Sequence, residues 1–77
     1  MLTWKEITQV VSEDGNRRMT IWLIPTDRFR FIEDTRVHED DDMYWHPSHT
    51  SGVYPSAEEA ECVARLELPW LRDRNSN

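Results

Sequence analysis

The segment "VVSEDGNRRMTIWLI", residues 10–24, constrains the fold more than any other part of this chain. Two runs rich in β-branched residues flank Asp14-Gly15, and a glycine there tolerates the positive φ that a tight turn between twisted strands requires. The pattern predicts a hairpin with strands over about 4–12 and 17–24. Pro25 has no amide hydrogen for a ladder and closes the second strand.

The next segment, "DRFRFIEDTRV", alternates as a half-buried strand does. Phe29, Phe31 and Val37 share one parity, while Arg28, Arg30, Asp34 and Arg36 share the other. Ile32 is the apolar exception on the polar side. This predicts a third strand over about 28–38, with the phenylalanines inward. The acidic run Glu39 to Asp42 then forms a connection. "MYWH" predicts a short fourth strand over 43–46, stopped by Pro47, with "PSHTSG" as loop.

A helix follows over about 57–68. Ser56 is a good N-cap, Glu59 stands three residues later as in a capping box, and Pro69 ends the segment. At 100° per residue Ala57, Ala60, Val63, Ala64 and Leu68 share one arc, opposite Glu58, Glu61, Cys62 and Arg65. Small residues on the inner arc let the helix approach a sheet closely. The expected architecture is α+β: an antiparallel sheet of three to four sequential strands, with one C-terminal helix packed on one face. It forms a single small domain over residues 1–71, and 72–77 read as a disordered tail. Seventy-seven residues leave no room for a second core.

Strands followed by "SGVYPSAEEAECVA" resemble the small three-stranded-plus-helix DNA-binding domains of integrase-arm and AP2 type. The resemblance covers about half the chain and implies a sheet face that enters a major groove. Those domains are basic, whereas this chain carries a net charge of −6, so no binding residue is carried over.

That charge is unevenly distributed. Through Ile32 there are five basic residues against four acidic; from Glu33 onward there are four against eleven. Overall acidity disfavours polyanions, although a local basic patch still attracts them. Cys62 is the only cysteine, which excludes an internal disulfide and fits a reducing compartment. The opening "MLTWKEITQVV" is broken by polar residues and does not read as a signal peptide. No apolar run approaches the roughly 20 residues of a membrane span. A soluble, cytoplasmic protein without membrane contact is expected.

Sites of chemistry are sparse. His38, His46 and His49 flank the acidic run, but His46 and His49 sit on the proline-broken "HPSH", and no zinc-finger spacing is present. "EDDD" lacks the alternating ligand positions and glycine of a calcium loop. Cys62 lies among Glu58, Glu59 and Glu61, whose negative charge disfavours the thiolate. Ser48, Ser51 and Ser56 have no nucleophile-elbow glycines, and two glycines make no phosphate-cradling loop. No metal, cofactor or catalytic residue is expected.

The aromatic residues say more. Ile21 and Leu23 point to one side of the second strand, Trp22 and Ile24 to the other; the first strand divides Ile7 and Val11 from Trp4 and Val10. One helix covers one face, so the other either carries tryptophan in water or is covered by "PWLRD" through Trp70 and Leu71. A tryptophan buries about 150–250 Å², and exposed apolar patches mark interaction sites. The leading expectation is a non-enzymatic protein-interaction module. Its anchors would be Trp4, Trp22 and Ile24, with Asp40, Asp41 and Asp42 as an acidic rim steering a basic protein partner or a second copy of the chain. The alternative is a sheet-face nucleic-acid binder using Arg17, Arg18, Arg28 and Arg30.

Overall fold

The computed structural model describes residues 3–74. Four strands, β1 (Lys5–Val11), β2 (Arg17–Ile24), β3 (Arg28–Glu39) and β4 (Asp42–Thr50), pair antiparallel in sequential order. Helix α1 (Ala57–Glu67) and the short helix α2 (Pro69–Arg74) follow. The α+β architecture is the expected one, with α1 packed against the sheet.

Each turn has a local cause. In the first, Ser12 Oγ and the Asn16 amide both donate to Asp14 Oδ1, at 2.6 and 3.0 Å, and Gly15 adopts φ 75°. In the second, Asp27 donates its amide to the Ile24 carbonyl at 3.0 Å and sits at φ 61°. In the third, Asp40 takes φ 54° between the paired Glu39 and Asp42. Aspartate is one of the few non-glycine residues that visits this region at modest cost.

The core lies between α1 and one face of the sheet. Ala60 and Ala64 are fully buried there, and Met19, Ile21 and Phe31 supply the bulk from β2 and β3. The His49 and Tyr54 rings lie against Phe31, with centroids at 5.7 and 6.5 Å. Beyond β4 the chain still follows β3: Phe29 and Tyr54 exchange both backbone hydrogen bonds, at 2.8 and 2.7 Å. This brings Ser56 into place to cap α1, its Oγ accepting from the Glu59 amide at 3.1 Å.

Three features depart from the sequence reading. The fourth strand does not stop at 46 but runs through Pro47 to Thr50. It is an edge strand, where a missing N–H is tolerated, and a bulge opposite Glu33/Asp34 leaves Ser48 outside the ladder. In β1, a bulge between Glu6 and Thr8 changes the alternation. Strict parity groups Trp4 with Val10, but Val10 packs against the core while Trp4 meets Trp22 on the opposite face. Finally, Pro69 ends α1 yet begins α2, serving as a first helical residue that needs no amide hydrogen. Residues 72–74 of the expected tail belong to α2, and 75–77 lie outside the described residues.

Helix α2 settles which face the C-terminal segment covers. Leu71 is buried in the same core as Ala60 and Ala64, and Trp70 packs against it. Trp70 donates Nε1–H to Glu33 Oε2 at 2.7 Å. "PWLRD" therefore closes the α1 side, and no described element lies over the other face of the sheet. The molecule is a slab of 38 × 38 × 16 Å, thin enough for two layers only.

Candidate interaction face

The uncovered face is built by the positions that alternate away from the core. On β3 these are Arg28, Arg30, Ile32, Asp34 and Arg36. The register sets Ile24 beside Arg28, Trp22 beside Arg30, Thr20 beside Ile32 and Arg18 beside Asp34. On the far side, Thr50, Pro47 and Trp45 pair with Ile32, Asp34 and Arg36. From β1, Glu6 pairs with Trp22 and Gln9 with Thr20.

Long side chains on this face pack on one another in two clusters. In one, the Trp4 and Trp22 rings meet edge to face at 6.2 Å, and the Arg30 guanidinium lies 5.6 Å from the Trp4 ring. In the other, the Trp45 ring has the Arg18 guanidinium at 4.5 Å and that of Arg36 at 5.8 Å. Arg18 also donates Nε–H to Asp34 Oδ2 at 2.8 Å, a charge-assisted bond on a carboxylate that is itself buried. Between the clusters Thr20 stands beside Ile32. Thr20 is only 2% exposed there and accepts from Gln9 Nε2 at 3.2 Å. Cation–π contact of this kind holds a guanidinium flat on a ring. It stiffens the arginines that would otherwise sweep through solvent.

The electrostatics differ from those of the whole chain. Four arginines, Arg18, Arg28, Arg30 and Arg36, share the face with two carboxylates, Glu6 and Asp34, in a chain of net charge −6. Acids concentrate elsewhere, at the β3–β4 turn and along the outer side of α1. The Nε atoms of Arg30 and Arg36 are buried and have no hydrogen-bond partner.

The expected site residues are only partly brought together. Trp4, Trp22 and Ile24 share one end of the open face. Asp40, Asp41 and Asp42 do not rim that cluster: at about 3.3 Å per residue, Asp40 lies roughly 30 Å along β3 from Arg30. Arg18, Arg28 and Arg30 lie on the open face, but Arg17 points to the α1 side and reaches Glu33 Oε2 at 3.4 Å. Arg36 and Trp45 complete the face. Arg36 shares the parity of Arg28 and Arg30; Trp45 is reached only through the β3–β4 register.

The histidines separate. His38 extends β3 on the open-face parity, whereas His46 and His49 alternate toward the α1 side, where His49 Nε2 lies 2.9 Å from Glu67 Oε1. Among the described residues no group of three or more histidine, cysteine, aspartate or glutamate side chains is placed to hold a metal ion. Ser51 is occupied structurally, accepting from the Phe31 amide at 2.9 Å, as is the capping Ser56.

Glu33 is the polar residue that the sequence reading passed over. It is 6% exposed, on the core side among the phenylalanines. Its carboxylate accepts from Trp70 Nε1, from Arg17, and from Ser48 Oγ at 3.2 Å to Oε1. The signal was available: an acid shared the inward parity of Phe29 and Phe31.

Comparison with known protein families, with curated proteins and with solved structures finds no match to this chain. None of these comparisons supports the resemblance to small strand-and-helix DNA-binding domains. Among the described residues no helix is long and apolar enough to cross a membrane.

Proposed function

We propose that this chain is a non-enzymatic binding module whose working surface is the open face of its sheet, and that its partner is a protein. One observation carries the reading: a sheet face that no described element covers holds three tryptophans interleaved with arginines. Tryptophan and arginine dominate the energetics of protein interfaces, because large rigid groups bury area at low entropic cost. Trp4 is 45% exposed and leans on Trp22, so the pair forms a ready anchor beside Ile24.

The test is capture by cross-linking, with the captured protein identified by mass. A protein bound by the unaltered chain should be lost from the Trp4→Ala/Trp22→Ala variant and kept by Leu66→Glu on the exposed side of α1. Loss with Leu66→Glu alone would move the site to the helix and sink the proposal.

A second reading, nucleic-acid binding, is supported by Arg18, Arg28 and Arg30 sharing that face with aromatics. Arg17, on the other side, has no part in it. Titration with labelled DNA and RNA oligonucleotides at low salt, giving no change in polarisation, would remove it.

A further inference from the structure

We propose that the occupant of the open face is an acidic protein surface, carrying carboxylates opposite the two arginine–tryptophan clusters and uncharged side chains between them. This rests on the reading of that face as the binding element, and it reverses the sign of the partner expected from the acidic turn. Three observations lead to it.

The first is the placement of the arginines. One group, Arg28 and Arg30, flanks the Trp4–Trp22 pair; the other, Arg18 and Arg36, brackets Trp45. From Arg30 to Arg36 is roughly 20 Å along β3. Arg18 already uses its Nε–H on Asp34 and Arg36 an Nη1 hydrogen on the Gly15 carbonyl, so a carboxylate would meet the remaining guanidinium N–H groups of the four arginines. The strip between the groups is uncharged: the register sets Gln9, Thr20, Ile32 and Thr50 side by side across it.

The second is the boundary of the basic region. The β1–β2 turn lies beside Arg36, whose Nη1 donates to the Gly15 carbonyl at 3.3 Å, and this turn carries Glu13 and Asp14. Beyond it the β3–β4 turn carries Glu39 to Asp42. At the other end stand Asp27 and Glu6. A nucleic-acid strand that ran past the face would approach these acids, whose repulsion reaches over a Debye length of about 8–10 Å. A compact acidic patch on a folded partner would not.

The third concerns self-association. Arginines occupy both ends of the face, so pairing two copies face to face sets arginine against arginine in either orientation. Like charges brought together in an interface are costly. The open face is thus unsuited to a second copy of this chain.

The experiment uses the full chain and four labelled probes: a Glu-Glu-Leu repeat peptide, a Lys-Lys-Leu repeat peptide of equal length, a single-stranded oligonucleotide and a duplex. The expected result is binding of the glutamate peptide alone, weakening as salt is raised. Affinity should fall at least about tenfold in Arg30→Gln/Arg36→Gln, the loss of a single charge-assisted contact already counting for that much. Equal binding of both peptides would overturn the charge inference while leaving the aromatic face of the proposed function standing. Binding of neither peptide would count against both. Binding of an oligonucleotide in preference to the glutamate peptide would overturn the inference in favour of the nucleic-acid reading. Should the double variant lose its far-UV ellipticity, the salt titration of the unaltered chain decides the matter alone.

Discussion

Trp70 donates its indole hydrogen to Glu33 at 2.7 Å, tying the last helix to the middle of the third strand. The bond joins residues far apart in sequence and sits on the core side of the sheet. It holds Leu71 in the core and commits the C-terminal segment to the face that α1 already covers. On the other face, which no described element covers, Trp4 is exposed and Trp22 and Trp45 are half-buried.

Trp70→Phe keeps an aromatic ring but removes the donor. A hydrogen bond to a charged group is worth about 1.5–3 kcal/mol, so stability should fall by an amount in that range. Urea unfolding followed by circular dichroism measures it. An unchanged midpoint would mean that the bond contributes nothing net.

The like charge at both ends of the open face has a consequence for assembly. Light scattering after size exclusion should give the 9.3 kDa of a single copy over a wide concentration range. A dimer that Arg30→Gln/Arg36→Gln strengthens would agree with repulsion at the face. A dimer that the Trp4→Ala/Trp22→Ala variant dissolves would contradict it.

The first turn depends on pH. The Ser12 hydroxyl and then the Asn16 amide donate to Asp14, and these bonds hold its carboxyl below the ordinary aspartate range. A carboxylate with a depressed folded value contributes stability that is present above the unfolded value and lost as pH falls through the folded one. Carbon-detected titration by NMR should give Asp14 a midpoint below that of an ordinary aspartate. The Asn16 amide shift should move with the same midpoint. In Ser12→Ala the midpoint should rise toward the ordinary value.

Asp27 and Asp40 occupy left-handed backbone at turns. Glycine adopts that region without the Cβ clash, so Asp40→Gly should be neutral or stabilising by up to about 1 kcal/mol. Asp40→Val, with a β-branched side chain at the same φ, should destabilise by more than that. Thermal unfolding of the two variants separates them. If valine is tolerated as well as glycine, the turn does not hold this conformation in solution.

How much of this could be read in advance depends on what is local. The β1–β2 hairpin was legible because Asp14-Gly15 carries its own turn chemistry. Helix α1 was legible because Ser56, the alanine arc and Pro69 lie within one short window. The bulge in β1 was not, since nothing in "KEITQ" itself breaks the alternation; cross-strand packing against β2 does. Pro47 was read by its local rule, which fails at an edge strand with a bulge to absorb it. The expected strand over 43–46 already held Trp45; the early stop missed the stretch from Pro47 to Thr50, which pairs back to Ile32. Glu33 was legible in principle, as an acid at an inward position, but its partners come from three other elements.

The two irregular strands, β1 and β4, are also the two outer edges of the sheet. A growing fibril needs a regular row of backbone donors and acceptors as its template, and so does a partner that adds a strand of its own. At one edge the row is interrupted near Ile7; at the other Pro47 has no donor and Ser48 steps out of line. Each outer edge thus carries one irregularity that interrupts a regular row for strand addition. On the proposed reading, a partner meets side chains across the open face, arginine and tryptophan among them, rather than a row of backbone groups.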